Sequence, residues 1–349
     1  MGEVYHIIEY MALIDYNGIQ QNSSIEKPLT DEEFLSLAID YYKKPDLELV
    51  KKQLKTIAKG GTRMNHVYDY FIKEVMSKSI GTRASWSIYD GLRHRQIMEY
   101  FNGKVDKNKK VFPDSMTLIE KIETAFRLCG IRYCVKLPNY PLKSVYTILD
   151  KYNVNGNWYD FSCGWASRLL GALSKNINYF GTDPNHELTP QLIEINNLYK
   201  RVNGGSTIVD IRTQGSQTLV DEWKGKMGLV FSSPPYFNLE DYQIGIDQSY
   251  KHGMSYSMWV DSYLKPTIQN IWEYLTQDGN FVINVKSFRE YSTNVIYDIE
   301  GDVKNISESI GFKLVEVTNL ENIKRCHGDI SRNDVSFNDN KEKIFVFNK

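Results

Sequence analysis

From about residue 157 onward, short apolar runs alternate with helix-compatible segments, and this alternation restricts the fold more than any other feature of the sequence. The runs are rich in Val, Ile, Phe and Tyr, which favour buried strands. Strands that alternate with helices form a mostly parallel sheet, because each connection places a helix on one face of it. Seven strands are predicted, at residues 157–161, 178–182, 206–210, 228–232, 279–285, 313–318 and 343–347.

The connections between these strands predict how the sheet is completed. Helix-compatible segments at residues 167–173, 189–199 and 263–275 lie between the first five strands. A long polar stretch without a helical period separates the last two strands, so a final hairpin is the simplest connection. The predicted fold class is α/β, with a seven-stranded sheet that is mostly parallel and a last strand that is antiparallel.

The first part of the chain has a different pattern. In residues 31–39 the apolar side chains recur at helical spacing, and Thr30 followed by Glu33 matches the pattern of a capping box. A chain of 349 residues is also long for one compact domain. Two domains are therefore predicted, a mainly α-helical one at residues 1–136 and the α/β one at residues 137–349.

Charge is distributed unevenly along the chain. The net charge is −1, but residues 43–110 contain 16 Lys and Arg against 7 Asp and Glu, a balance of +9, and the remaining residues carry −10. A basic block of this kind can bind a polyanion, because contacts to phosphates release counterions. The alternative is a solvated helical surface with scattered lysines, and charge alone favours neither.

Composition excludes several classes of protein. With 42% hydrophobic and 24% charged residues, the chain is an ordinary globular protein. It has no apolar run of the roughly 18 residues that cross a membrane, and its N-terminus, with Glu3 and Glu9, lacks the basic region of a signal peptide. A cytoplasmic protein without membrane contact is expected. The four cysteines show neither CxxC pairing nor zinc-ligand spacing, so reduced thiols and no metal site are expected.

A turn of small residues follows the first predicted strand, at residues 160–171. Ligands bind at the carboxyl ends of strands in open α/β sheets, so this turn predicts a cofactor pocket, although such turns occur in any doubly wound fold. The second and third predicted strands lead into the acidic residues Asp183 and Asp210. Asp183 could accept hydrogen bonds from ribose hydroxyls and Asp210 could meet an adenine amino group, or each could be a helix N-cap.

The fourth predicted strand ends in Ser233-Pro234-Pro235-Tyr236. Two successive prolines fix φ and remove two backbone donors, so the chain leaves the sheet with carbonyl oxygens free to accept hydrogen bonds. A serine hydroxyl and a proline carbonyl can accept from an amino group, and a tyrosine ring can stack on a planar base. The position after the fourth strand favours this interpretation over a structural tyrosine corner.

Together these motifs resemble those of the amino methyltransferases of DNA, which transfer a methyl group from S-adenosylmethionine to an exocyclic nitrogen of a base. Residues 160–171 are similar to the Asp-Pro-Cys-Ala-Gly-Trp-Gly-Gly-Arg-Leu-Leu-Gly pattern of phage and bacterial members, and residues 181–185 match their Gly-Thr-Asp-Pro-Asn. Residues 139–141, followed by an amphipathic helix, resemble motif X of the family, and residues 342–349 resemble its last strand. The likeness covers residues 137–349 and implies a Rossmann-like methyltransferase fold with S-adenosylmethionine as the cofactor.

The resemblance also implies roles for individual residues. It implies cofactor contacts at Tyr140, Asp160, Ser162, Gly164, Asp183, Pro184 and Asp210. It implies that the target base is held by Ser233, Pro234, Pro235 and Tyr236. The chain departs from the family pattern at Phe161, Ala166 and Ser167, of which the last two are small enough to permit close approach. Serine at the first position of the proline motif favours cytosine N4 only slightly, so adenine N6 remains a candidate.

An amino group inside a duplex is reached only when the base leaves the stack, so further DNA contacts are expected. The candidates lie in the basic block and before the last strand: Arg83, Arg93, His94, Arg95, Lys324 and Arg325. Arginine suits phosphate and guanine contacts, although any one of these side chains could simply be solvated. DNA is the expected partner, a restriction-modification or phage DNA-modification partner is compatible with it, and the oligomeric state is left open.

Two rival functions remain open. One keeps the fold and acts on RNA or on a protein glutamine, whose side-chain amide could lie in a similar proline turn. The other is a DNA-binding module that has lost turnover. A covalent cytosine C5 mechanism is excluded, because it needs a Pro-Cys nucleophile and the sequence has none. The favoured reaction is direct in-line transfer without a metal or a covalent enzyme intermediate.

Overall fold

The computed structural model describes residues 41–81, 87–91, 139–152, 156–290, 293–319 and 342–349. The main sheet is built from β1 (Asn157–Asp160), β2 (Asn178–Thr182), β3 (Val209–Arg212), β4 (Met227–Ser232), β5 (Leu275–Val285), β8 (Lys313–Asn319) and β9 (Lys343–Asn348). A separate hairpin consists of β6 (Phe288–Arg289) and β7 (Ile296–Tyr297). The strand order in the main sheet is β3-β2-β1-β4-β5-β9-β8.

The strand directions follow the prediction. Strands β1 to β5 pair in parallel, and β9 pairs antiparallel with both β5 and β8. The prediction of a seven-stranded, mostly parallel sheet with an antiparallel last strand is therefore confirmed. Strand β4 lies at the centre and is buried along its whole length, as expected for a strand with helices on both faces.

Helices cover the two faces of this sheet. Those that precede it are α1 (Leu47–Ile57), α2 (Asn65–Phe71), α3 (Lys73–Ser77), α4 (Ile88–Gly91) and α5 (Leu142–Tyr152). Those that follow β1 are α6 (Ser167–Ser174), α7 (Leu188–Asn203), α8 (Tyr256–Trp259), α9 (Lys265–Tyr274) and α10 (Ile299–Ile310), with a π-helical turn at Val260–Leu264. None of the helices described here is both long enough and apolar enough to span a bilayer.

Two hydrophobic clusters hold the helices against the sheet. Side chains alternate between the faces of β4, so Phe231 belongs to one cluster and Val230 to the other. The first cluster joins its face of the sheet to α1, α5, α6 and α7, and the second joins the opposite face to α9 and α10. With both faces covered, the loops at the strand ends are the places where a ligand can approach.

The order of the strands creates a crevice between β1 and β4. The chain adds β2 and β3 on one side of β1 and then crosses over to add β4 on the other side. Such a switch leaves a ligand-binding crevice at the carboxyl ends of the two central strands. Two segments leave the sheet there: residues 161–166 after β1, here called the β1 loop, and residues 233–236 after β4, here called the proline turn.

Helix α1 belongs to the same core as the sheet. Its side chains Val50, Leu54 and Ile57 are fully buried in the first hydrophobic cluster. The Tyr146 hydroxyl of α5 donates to the carbonyl oxygen of Gly61 over 3.0 Å and to that of Ile57 over 3.3 Å. The described helices before residue 137 therefore pack directly on those after it, and the domain boundary at this point stays a prediction.

Two strands begin three or more residues away from the predicted position, whereas the other strand boundaries agree with the prediction to within two residues. Strand β3 begins at Val209 rather than at 206, because its pairing with β2 starts there and Ile208 is 54% exposed. Strand β5 begins at Leu275, earlier than predicted, because Leu275 already pairs with Met227 of β4. The helix predicted at residues 31–39, with its capping box, lies outside the described residues.

Replacing Leu54 by alanine tests whether α1 unfolds together with the sheet. Leu54 is fully buried, so Leu54→Ala is expected to lower the free energy of unfolding by about 2–5 kcal/mol. In a urea titration followed by tryptophan fluorescence, Leu54→Ala should then show a single unfolding transition at a lower urea concentration than the wild type. Leu49→Ala on the same helix is the matched control, because Leu49 is 44% exposed and should cost less than about 1 kcal/mol. An unshifted transition in Leu54→Ala would mean that α1 folds independently.

Candidate active site

The β1 loop contains two residues with left-handed backbone, Gly164 with φ 57° and Ala166 with φ 70°. This conformation costs a residue with a Cβ about 1 kcal/mol, which is why glycine is usual there. A Cβ on Gly164 would lie 3.3 Å from Nη2 of Arg168, so little space is left beside it. Ala166 adopts this left-handed backbone directly before α6, so an alanine at this position is compatible with the tight turn.

A cavity opens beside the β1 loop at the carboxyl ends of β1 and β2. Several residues that the sequence predicts for the site line this cavity, namely Ser162, Gly164, Asp183, Pro184 and Pro235. Its walls are partly aromatic, with Trp165, Tyr242 and Tyr263 among the lining residues. The structure thus brings the predicted cofactor motif and the predicted proline motif to one cavity.

Asp183 follows β2 and presents a fixed carboxyl group at this cavity. Its side chain is only 8% exposed. The backbone N–H of Gly164 donates to Oδ2 over 3.3 Å, and that of Asn185 donates to Oδ1 over 3.0 Å. Burial raises the pKa of Asp183 to about 6, although both amides act to lower it. The carboxyl group is therefore mostly ionised at neutral pH, and its pKa lies near enough to neutral pH for a bound ligand to change its protonation.

Asp160, the last residue of β1, is fully buried and is not among the described residues that line the cavity. Its Oδ2 accepts hydrogen bonds from Nε of Arg168 over 2.8 Å and from the hydroxyl of Tyr179 over 2.7 Å. Its Oδ1 accepts from the hydroxyl of Ser232 over 2.6 Å and from the backbone N–H of Ser162 over 3.3 Å. Asp160 thus supports the β1 loop from inside the protein, and its direct contact with a cofactor stays a prediction.

Asp210 lies within β3 and not at its end, because the strand continues to Arg212. Its carboxylate accepts hydrogen bonds from the Arg212 guanidinium over 2.8 and 3.0 Å and from the indole N–H of Trp223 over 3.1 Å. The segment after β3 that lines the cavity is 215–217. The predicted position of Asp210 at a strand end is therefore wrong, and its contact with an adenine amino group stays a prediction.

Tyr140 lies directly before Pro141 and α5, next to the β1 loop. Its ring centroid is 5.8 Å from that of Phe231, and the Arg168 guanidinium lies 5.6 Å from the same ring. Its backbone carbonyl accepts a hydrogen bond from the hydroxyl of Ser167. Tyr140 is not among the described residues that line the cavity, so its predicted contact with the cofactor stays a prediction.

The proline turn leaves β4 beside the cavity. Pro235 lines the cavity, Pro234 is buried and Ser233 is half-buried. The two prolines end the strand, as their missing backbone donors require. Ser233, Pro234 and Tyr236 are not among the described residues that line the cavity, so the contact of their acceptor groups with a substrate at this place stays a prediction.

Tyr236, the last residue of the proline turn, is half-buried and contacts residues from elsewhere in the chain. Its hydroxyl donates to Oε1 of Glu342 over 3.2 Å, and its ring centroid lies 6.4 Å from that of Phe288. The other carboxylate oxygen of Glu342 accepts from the amide of Asn284 over 2.6 Å. Glu342 thus connects the tyrosine of the turn to β5.

A longer loop, residues 237–253 and here called the covering loop, contributes Tyr242 and other residues to the cavity wall. The ring centroid of Tyr242 is 6.1 Å from that of Trp165 in the β1 loop. Ile80 and Asp241 exchange two backbone hydrogen bonds of 2.7 and 3.0 Å, so the covering loop is tied to the segment after α3. The N-terminal helices are thereby connected to the wall of the site.

Several lining residues are missed by reasoning from the sequence. Trp165 belongs to the motif that predicts the pocket, so its place in the motif was a usable signal. Residues 215–217 would follow from the correct end of β3. Tyr242 and Tyr263 carry no local signal, because only the path of the covering loop and the packing of the π-helical turn bring them to the cavity.

The residues predicted to contact DNA lie outside the described part of the chain: Arg83, Arg93, His94, Arg95, Lys324 and Arg325. The described part of the basic block, residues 43–81 and 87–91, includes α1 and the turn after it. There Lys52, Lys55 and Lys59 are exposed, and with Gly60 and Gly61 they line a shallow pocket. The block therefore presents positive charge at the surface.

Comparison with known proteins yields distant likenesses. No protein-family model matches the sequence, and no curated protein does. Among solved structures, an S-adenosylmethionine-dependent methyltransferase from Clostridium acetobutylicum is 11% identical, covers 60% of this chain and 92% of its own, and has a TM-score of 0.38. Magnesium protoporphyrin IX methyltransferase from Synechocystis, solved with bound S-adenosylmethionine, is 12% identical, covers 72% and 95%, and has a TM-score of 0.37.

A candidate DNA modification methylase from Thermus thermophilus is 17% identical, covers 36% of this chain and 47% of its own, and has a TM-score of 0.25. At TM-scores this low the likenesses say nothing about activity, and the fold class rests on strand order and strand direction. By both criteria, the chain has the seven-stranded Rossmann-like sheet of the methyltransferase fold that its motifs imply.

Proposed function

We propose that this protein is an S-adenosylmethionine-dependent methyltransferase that methylates the exocyclic amino nitrogen of a base in DNA. The observation that carries the proposal is the meeting of the Asp183 cavity and the proline turn, which share Pro235 at one crevice. A methyl donor in the cavity and an amino group at the turn would be neighbours, as in-line transfer requires. The resemblance of the motifs to those of DNA amino methyltransferases supports DNA as the substrate.

The residues around the cavity fit the proposed cofactor. The carboxylate of Asp183, fixed by the backbone amides of Gly164 and Asn185, would accept hydrogen bonds from ribose hydroxyls. The aromatic side chains of Trp165 and Tyr242 suit the faces of a purine ring. When bound, S-adenosylmethionine supplies a methyl group on a positively charged sulfonium.

The proline turn fits an amino group carried by a planar base. The Ser233 hydroxyl and the Pro234 carbonyl would accept hydrogen bonds from that group, which directs the nitrogen lone pair toward the cavity. The ring of Tyr236, whose hydroxyl is held by Glu342, would stack on the base once it has left the duplex. Cytosine N4 is slightly favoured over adenine N6 as the methyl acceptor, because the turn begins with serine.

Incubation with tritiated S-adenosylmethionine and DNA, followed by mass spectrometry of the nucleosides, tests the proposal directly. The expected product is N4-methylcytosine or N6-methyladenine. Parallel incubations with RNA and with protein serve as controls. If the tritium appeared in RNA or in a glutamine side chain and not in DNA, that molecule and not DNA would be the substrate. Tight cofactor binding without transfer to any of the three would favour a DNA-binding module that has lost turnover.

Binding to duplex DNA is expected to weaken about tenfold or more between low and moderate salt. The basic block, including the exposed Lys52, Lys55 and Lys59, would neutralise several phosphates and release their counterions. Fluorescence anisotropy with a labelled duplex at several salt concentrations measures the slope. An affinity that is flat over this range would rule out a surface that binds DNA mainly through phosphates.

A further inference from the structure

The carboxylate of Asp160 is the centre of a buried hydrogen-bond network that reaches both sides of the crevice. On the β1 side, Arg168 donates to Asp160 and also to the carbonyl oxygen of Ser162, so the β1 loop is held at two points. On the β4 side, the hydroxyl of Ser232 donates to Asp160 over 2.6 Å. Ser232 and Asp160 are both 0% exposed. One carboxylate therefore contacts the segments on which both halves of the site depend.

The burial of the Asp160 carboxylate favours one arrangement of its hydrogen-bond donors. A buried carboxylate is costly unless donors satisfy its oxygens, and removal of one donor leaves part of that cost uncompensated. Oδ1 accepts two hydrogen bonds, and the one from the Ser232 hydroxyl, at 2.6 Å, is shorter than the one from the Ser162 amide, at 3.3 Å. Satisfied buried networks of this kind hold their members in one arrangement. The end of β4 is thus fixed relative to the β1 loop by a defined hydrogen bond.

We propose that the hydrogen bond between Ser232 and Asp160 sets the position of the proline turn relative to the cofactor cavity, so that both are positioning residues for methyl transfer. Ser232 is the last residue of β4 and stands immediately before Ser233. A shift at Ser232 therefore moves the acceptor group of the turn, whereas the cavity keeps Asp183 and its two backbone donors. This inference rests on the proposed role of the turn. It gives Asp160 a function that does not require it to touch the cofactor.

Ser232→Ala is the variant that isolates this link, since it deletes one hydroxyl and leaves Asp160 with its other three donors. We expect an S-adenosylmethionine dissociation constant within about twofold of the wild type and a single-turnover methyl-transfer rate lower by about ten- to a hundredfold. Ser232→Thr keeps the donor and should recover most of the rate. Ser307→Ala is the matched control, because Ser307 is equally buried on α10 and its hydroxyl has no hydrogen-bond partner among the described residues.

A second readout does not depend on the identity of the substrate. Hydrogen exchange in the cofactor-bound protein should become about fivefold faster at the backbone amides of Tyr236 and Phe237 in Ser232→Ala, and should stay unchanged at the amides of the β1 loop. If the wild type methylates no nucleic acid, the proposed function fails and the exchange experiment still tests the link. If these amides of Ser232→Ala exchanged at the same rate as in the wild type, the inference would be overturned. Loss of cofactor binding in parallel with the rate would overturn it too, since the link would then serve the cavity alone.

Discussion

Replacing Ser233 by alanine is expected to lower the single-turnover rate of methyl transfer by roughly a hundredfold, with little change in affinity for DNA or for S-adenosylmethionine. The hydroxyl would accept from an amino nitrogen that gains positive charge during transfer, so its contribution grows in the transition state. Rapid-quench measurements beside equilibrium binding of both ligands separate the two effects. A Ser233→Ala enzyme with the full rate would mean that the proline turn is a structural corner.

Tyr236 is the contrasting position on the same turn. Stacking on an extruded base is worth about 1–3 kcal/mol and acts before the chemical step, so Tyr236→Ala should weaken binding of target DNA by about tenfold and also reduce turnover. Tyr236→Phe keeps the ring, loses the hydrogen bond to Glu342, and should recover most of the DNA affinity. If Phe were as damaging as Ala, the hydroxyl and its contact with Glu342 would matter more than the ring.

Replacing Asp183 by alanine is expected to raise the dissociation constant for S-adenosylmethionine at least tenfold. A carboxylate that accepts from two ribose hydroxyls makes charge-assisted hydrogen bonds of about 1.5–3 kcal/mol each. Titration calorimetry on the purified protein measures the change, and circular dichroism checks that the variant is folded. An unchanged dissociation constant in a folded Asp183→Ala protein would remove this residue from the cofactor site.

The same carboxyl group predicts a pH dependence of cofactor binding. Burial raises the pKa of Asp183 from 3.8 to about 6. Without cofactor, the folded protein therefore binds this proton more tightly than the unfolded chain does, and its stability falls as the pH rises from about 4 to about 6. Hydroxyl donors from a ribose favour the ionised form and would lower that pKa. Affinity for S-adenosylmethionine should therefore be highest above about pH 6 and fall by up to about tenfold per unit below it. In Asp183→Ala this dependence should disappear.

The sheet could be predicted from the sequence because each strand carries a local signal. The run before Ser233 is apolar, two prolines follow that serine, and β4 ends at Ser232, two residues before the first of them. The start of β3 could not be predicted in the same way, because residue 208 is as apolar as a strand residue but lies 54% exposed beside the ladder. The first residue of β3 is set by its pairing with β2, and the sequence of one segment does not reveal its pairing partner.

The candidate site could be predicted where a motif is contiguous and not where the fold assembles it. Asp183 and Gly164 each stand in a short recognisable pattern, and both reach the cavity. Asp160 stands in such a pattern as well, but its partner Ser232 is 72 residues away, and its side chain points into the interior. Tyr242 enters the cavity wall only through the path of the covering loop. Long-range contacts of this kind have no signature in local spacing.

The position of β9 also has a consequence for synthesis on the ribosome. In the described sheet, β8 pairs only with β9, and β9 alone separates it from β5. Until residues 343–348 have emerged, β5 therefore presents an open edge and β8 has no partner strand. Open edges of apolar strands are prone to pair with other chains. The edge of the described sheet is therefore completed by six residues that follow all its other strands along the chain.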